Sequence, residues 1–364
     1  PEAVVVETED GGVEVNFEKQ EEATESENLA EMMDEDDLAE LALDLVANFE
    51  DDKSSRQEWE DTYSDGLELL GIRNEIRTQP FDGASGVNHP ILSEAVVRFV
   101  SQSIMEIFPA SGPVKTKVVG DYTEEKGQQA KRVENYMNHL LTDAMPEYRT
   151  ETEQLLFHLA LTGSAFRKVY FDPQTQKPAS VFVPAEDFVV SYSTSDLVSS
   201  PRYTHVMQKT DNFVKKMQLN GFYRNVDLSE PTTGDIGDVK TRYDELTGVT
   251  EVSETDLRTI LEMHVELELT GFEDRNQAGE ETGIALPYVV TIDKDSNTIL
   301  SIRSNYKDDA LRTPTEFFVH YKFQPGLGYY GFGLIHLIGS IAKSSTSILR
   351  QLIDAGTLAN LPAG

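Results

Sequence analysis

FFVHYKFQPGLGYYGFGLIHLIGSIAKSSTSILRQLIDAGTLANLPAG, residues 317–364, changes its hydrophobic period once within forty-eight positions. From Phe317 to Phe323 aromatic and apolar residues alternate with polar ones, the period of a strand, and Pro325, Gly326, Gly328, Gly331 and Gly333 end it. From Phe332 to Ala355 the period becomes helical. Leu334, Ile338, Ile341, Ile348 and Leu352 stack on one face with Leu349 and Ile353 beside them, and His336, Ser340, Lys343, Ser347, Arg350 and Asp354 lie opposite. Such a helix is about 36 Å long. The spacing therefore predicts a strand, a glycine-rich aromatic elbow and one long helix with a packed side and a wet side.

The elbow contains G-x-G-x-x-G at Gly326, Gly328 and Gly331, between a strand and a helix as in a dinucleotide site. That site also needs a second strand carrying an acidic residue about 20 positions on. Here the following stretch is helical throughout, so the glycines read as a sharp corner packed by Tyr329, Tyr330 and Phe332, and no cofactor is expected.

Among 364 residues there is no Cys, which excludes disulfides, thiolate nucleophiles and Cys-ligated zinc. No apolar run reaches the roughly 18 residues a membrane helix requires. The net charge is −33, and residues 1–52 alone hold twenty Asp and Glu against one Lys. The reading there is an acidic, largely disordered arm with a short amphipathic helix from Leu29 to Phe49 carrying Leu38, Leu41, Leu45 and Phe49. An acidic chain is a poor gripper of DNA, since affinity comes from Lys and Arg neutralising phosphates. Weak net attraction is compatible with a wall past which a duplex slides.

Further along, Ser54 or Ser55 with Gln57 or Glu58 reads as a capping box before Trp59, Tyr63, Leu67 and Leu70 at helical spacing. Asn88 or His89 and Pro90 open a largely apolar helix to about Phe108; Thr123 to Thr142 and Tyr148 to Leu161 give two more. Phe166 to Phe171 and Val181 to Val183 form a hairpin, Phe213 to Leu219 a short helix, and Leu228 to Glu254 a linker. Ile260 to Leu269 alternates, and Tyr288 to Ile292 pairs with Thr298 to Arg303 around DKDSN.

The opening segment closely resembles the entry into the stem helix in portal proteins of tailed double-stranded DNA bacteriophages. The runs GLELLGIRNEIRTQPFDGASGVNHPILSEAVVRFV, PASGPVKTKVVGD, EYRTETEQLLFHLALTGSAFRKVYFDP, VPAEDFVV and PYVVTIDKDSNTILSIRSN also look like that family, in its podovirus and cyanophage forms. The resemblance spans residue 56 to the end. It implies an α+β portal fold with residues 53–258 as a wing-like domain, 259–323 as a β-rich clip-like module and 324–364 as elbow and stem; the rest of the wing and the crown have no counterpart in these residues. It implies no enzyme and no cofactor. It implies a cyclic self-assembly of about twelve copies, a channel for double-stranded DNA at one capsid vertex of the virion, assembled in the host cytoplasm, and docking of the terminase large subunit, the major capsid protein and head-to-tail adaptor or tail proteins. The stem would pack through Leu334, Ile338, Ile341, Ile348 and Leu352 and present Lys343, Ser347 and Arg350 as DNA-channel candidates. The rival readings are a DNA-processing hydrolase or nuclease, for which H-E-x-x-H, phosphate-loop and G-x-S-x-G motifs are lacking, and a plain structural head or scaffold protein.

Overall fold

The computed structural model describes residues 3–7, 13–17, 28–72, 77–172, 176–230, 238–248, 257–275, 280–307, 309 and 311–360. Helix and sheet are mixed, in keeping with an α+β class. In chain order the strands are β1 (Ala3–Glu7), β2 (Val13–Phe17), β3 (Ser164–Asp172), β4 (Lys177–Pro184), β5 (Phe188–Val189), β6 (Arg202–Thr210), β7 (Leu257–Leu267), β8 (Leu286–Asp293), β9 (Thr298–Ser304) and β10 (Phe318–Lys322). The helices are α1 (Glu35–Ser55), α2 (Gln57–Glu68), α3 (Ile91–Ile107), α4 (Glu124–His139), α5 (Glu147–Thr162), α6 (Asp211–Leu219), α7 (Asp238–Thr247) and α8 (Leu334–Ala359).

The chain forms two compact units. One takes Pro1–Asp44, Gln208–Glu230 and Leu257–Thr315; the other takes Leu45–Met207, Pro231–Asp256 and Glu316–Gly364. This division departs from the 1–52, 53–258, 259–323 and 324–364 boundaries, because α1 runs from one unit into the other and β10 joins the second unit's sheet.

In the first unit β7, β8 and β9 form an antiparallel meander. The β8–β9 turn is the DKDSN segment, where Asn297 takes a left-handed φ of 51°, a conformation Asn tolerates better than most residues. The strands are buried on both faces, with seven of the eight β8 residues inside. The side chain of Asn28 acts as a short strand on β9: its Nδ2 donates to Leu300 O at 3.1 Å and its Oδ1 accepts from Ile302 N at 3.0 Å. Arg224 adds its backbone N–H to Leu300 O (2.8 Å) and its Nε to Ile299 O (3.0 Å), and pairs with Glu35 at 2.7 Å. Satisfying these groups removes a template for intermolecular pairing.

In the second unit β10, β3 and β4 make an antiparallel sheet in that order, with His320 opposite Phe166 and Phe166 opposite Val183. Its core gathers Trp59, Tyr63 and Leu67 from α2, Leu92 and Val96 from α3, and Ala160 and Leu161 from α5, with Phe166, Tyr329, Tyr330, Ile335 and Ala342.

The helix expected from Leu29 to Phe49 is present, as a short turn at Leu29–Glu31 followed by α1, so that residues 28–52 are ordered and the expectation of a largely disordered arm fails there. Asn28, Ala30, Leu38, Leu45 and Phe49 are buried, and Arg202 forks onto Asp52 at 2.7 and 3.1 Å. The backbones of β1 and β2 pair antiparallel, while residues 18–27 lie outside those described. The apolar stripe outweighs the acidic composition because the charges sit on the helix's other side. Ser54 and Ser55 end α1 instead of capping α2, whose N-cap is Arg56 without a side-chain cap bond. The supposed linker holds α7, whose Val239 is buried on α2.

Asn28→Ala leaves the buried Ile302 N–H of β9 unpaired and takes from Leu300 O one of its two donors, Arg224 N remaining. We expect a loss of about 1–3 kcal/mol in urea unfolding followed by far-ultraviolet circular dichroism.

Candidate functional site

α5 ends at Gly163, which takes φ 96° as a left-handed C-cap and turns the chain into β3. That turn is where the elbow lands. A side chain on Gly163 would collide with the backbone of Gly331, Phe332 and Gly333; one on Gly331 or Gly333 would strike Gly163 or Leu161. Two hydrogen bonds hold the contact, Phe323 N to Gly163 O (3.0 Å) and Gly331 N to Ser164 Oγ (2.8 Å), and Phe332 N to Gln324 O (2.8 Å) closes the elbow on itself. A Cβ on Gly326 would meet Tyr330 O and one on Gly328 the Tyr192 ring. The space that a pyrophosphate would need at these glycines is thus filled by protein.

His320 lies between Phe166 and Tyr329, with ring centroids 4.4 and 4.8 Å away and planes 17° and 24° apart. Burial, with the nearby Lys322 ammonium, pushes its pKa down to about 3. The imidazole is therefore neutral, and its Nε2 lies 3.1 Å from Ser164 Oγ. Since Ser164 Oγ already accepts from Gly331 N, its hydroxyl proton is available to His320, and one serine links elbow and sheet.

Behind the elbow sits Arg56, 1% exposed. Its guanidinium donates to Ala185 O (2.9 Å), Phe188 O (2.7 Å), Glu186 O (2.5 Å) and Tyr330 Oη (2.7 Å), and pairs with Glu60 at 2.6 Å. Tyr330 donates onward to Phe188 O (2.9 Å) and stacks on Trp59 at 4.3 Å. Despite desolvation, Tyr330 and Glu60 hold the guanidinium's pKa above its ordinary value. The two terminal nitrogens of the planar guanidinium serve these acceptors together, a spread that a single lysine ammonium does not match.

α8 leaves the elbow through Gly333, whose N–H donates to His336 Nδ1 at 3.1 Å. The face it buries differs from the expected one. Ile335, Gly339, Ala342 and Asp354 are inside; Leu334 and Ile338 pack partly against the core, whereas Ile341, Ile348 and Leu352 stand 53%, 66% and 70% exposed. Small residues decide this, since Gly339 and Ala342 let α8 approach closely and Gly66 of α2 leaves room for Ile335. The larger aliphatics are left outside with Leu337 and Leu358.

The polar face is also corrected. Arg350 donates to Val87 O (2.8 Å) and Asn88 Oδ1 (2.5 Å), so it holds the loop before α3 instead of facing outward as a DNA-channel candidate. Asp354 accepts from Ser85 N at 2.7 Å with Arg77 3.7 Å away, and Thr346 Oγ1 accepts from His89 N at 3.0 Å. Lys343 and Ser347 remain exposed and line a groove of about 650 Å³ along α8 with Leu69, Arg77 and Phe81.

Sequence reasoning missed the Arg56 node. The i,i+4 spacing of Arg56 and Glu60 was visible, but Tyr330 lies 274 residues away. Among the described residues, no group of three or more His, Asp or Glu could hold a metal ion, and no helix is long and apolar enough to cross a membrane. No protein-family model and no curated protein matches the chain.

Arg56→Lys retains one charge but abandons most of the acceptors; the expected loss is about 3 kcal/mol, read by guanidinium unfolding through Trp59, the sole tryptophan. For His320, a folded pKa below the ordinary 6.5 means the unfolded chain binds the proton more readily. The stability it contributes is present above pH 6.5 and lost as pH falls toward about 3. Thermal midpoints measured from pH 7 to 4 are expected to fall less steeply in His320→Gln than in the parent.

Proposed function

We propose that the chain is the subunit of a bacteriophage portal: a ring at one capsid vertex that conducts double-stranded DNA during packaging and ejection. The observation that carries this reading is α8. It is a 26-residue helix fixed at its start by the elbow, and its outer side displays Leu337, Ile341, Ile348 and Leu352 to solvent. An aliphatic row of that length is suited to a neighbouring subunit. Head-to-tail contacts between identical copies close into a ring, here of about twelve.

In this reading α8 is the stem, the second unit contains the wing, and the β7–β9 meander takes the place of the clip that meets the terminase motor or the tail adaptors. The resemblance of the elbow and of the runs from residue 56 onward to portal proteins supports the same assignment. The channel works through electrostatics and shape, without base readout or bond-making. Net charge −33 keeps attraction for phosphates weak, and Lys343 with Ser347 supplies a local, non-specific contact. ATP hydrolysis belongs to the separate motor.

Electron-microscope class averages of the purified protein test this. We expect closed rings around a central hole; a monomer or dimer under assembly conditions would overturn the reading. Ile348→Glu with Leu352→Glu is expected to abolish rings while changing subunit stability by no more than about 0.5 kcal/mol per site, since both side chains are exposed.

A further inference from the structure

α7 is a ten-residue helix of the second unit that packs on its core through Val239, Tyr243 and Leu246. Val239 is buried, and Arg242 reaches Glu68 at the end of α2 at 2.6 Å. The Tyr243 hydroxyl meets that of Tyr63 at 2.6 Å. Beneath this helix lies a cluster of titratable side chains from three other segments. α2 supplies Arg56, Glu60 and Tyr63; α5 supplies His158, whose Nδ1 is 3.4 Å from the Tyr63 hydroxyl; the turn before β5 supplies Glu186 and Asp187. From α7 itself, Tyr243 and Lys240 face it.

Glu186 is the unusual member. The residue as a whole is partly exposed and Asp187 beside it is exposed, but the Glu186 Oε2 atom is itself buried without a hydrogen-bond partner, and its charge bears on both tyrosine hydroxyls. Arg56 gives it little relief, because that guanidinium is committed to Glu60, Tyr330 and three carbonyls. A carboxylate placed there needs water, and α7 stands over the tyrosine pair. Neighbouring His158 is likewise kept neutral, with burial pushing it down to about 4.

We propose that α7 is a latch: it stays closed over the Tyr63, His158 and Glu186 cluster while the Glu186 carboxyl is neutral, and opens when that carboxyl ionises and draws water in. Burial first, and the Asp187 carboxylate second, push Glu186 up to about 8. A folded pKa raised above the ordinary 4.5 makes the closed form's advantage complete below that value. It is lost as pH rises toward about 8. The latch would also bear on α8, since α2 touches α7 through Tyr63 and Glu68 and α8 through Gly66.

Hydrogen–deuterium exchange of the full chain at pH 6.0 and 8.5, with intrinsic rates divided out, tests it. The expected result is a drop of about tenfold or more in protection of the α7 amides at the higher pH while α2 and α5 keep theirs, and retention of α7 protection at pH 8.5 in Glu186→Gln. Equal α7 protection at both pH values would overturn the latch, as would an unchanged loss in Glu186→Gln or joint loss from α2, α5 and α7. Tyr243→Phe removes the hydroxyl contact and keeps the ring. It is expected to open α7 already at pH 6.0, and parental protection in that variant would also overturn the proposal.

Discussion

The second unit depends on one backbone-to-backbone contact, the seating of residues 331–333 on the turn at 161–164. Nothing larger than glycine fits at Gly163, Gly331 or Gly333, so the separation of the two segments is set by main-chain atoms, which cannot adjust by changing rotamer. That fixes where β10 ends, places Tyr329 against His320 and Tyr330 against Trp59, and sets the start of α8. A side chain at any of these positions would have to move strand, elbow and helix together.

Electrostatics in this protein work at two scales. Most carboxylates of the described residues lie on the surface, where water screens them and where they disfavour adhesion to nucleic acid. Inside, charges are shared: Arg56 serves Glu60, a tyrosine and three carbonyls, and Arg258 bridges Asp211 and Asp293 in the first unit. A buried guanidinium with this many acceptors is costly to disturb because each abandoned carbonyl keeps its desolvation penalty.

α8 shows how one helix serves two purposes. Its inner line of Ile335, Gly339 and Ala342 is small enough to lie close to its own chain, and the polar residues that continue the line, Thr346, Arg350 and Asp354, tie down the loop at 85–89. The bulkier aliphatics are displaced to the outside. Apolar content alone could not distinguish these two faces, because close approach favours the smaller residues.

Local pattern in the sequence determined much of what is seen. The β8–β9 turn at DKDSN, the Thr123 cap of α4, the end of α5 at Gly163 and the strand, elbow and helix order at the carboxyl end follow from period, capping and glycine placement, which act over a few residues. Tertiary structure decided what depends on partners far apart in sequence. It buried a stripe of residues 28–52 despite their acidic composition, put β10 beside β3, gave α7 a docking site on α2 and turned the core-facing side of α8 toward Ile335, Gly339 and Ala342. It also drew Arg350 from the exposed face onto Val87 and Asn88, 262 or more positions away. The physical reason is the same in each case: propensity is a property of a short window, whereas burial and hydrogen-bond satisfaction belong to surfaces that exist only once the chain has folded.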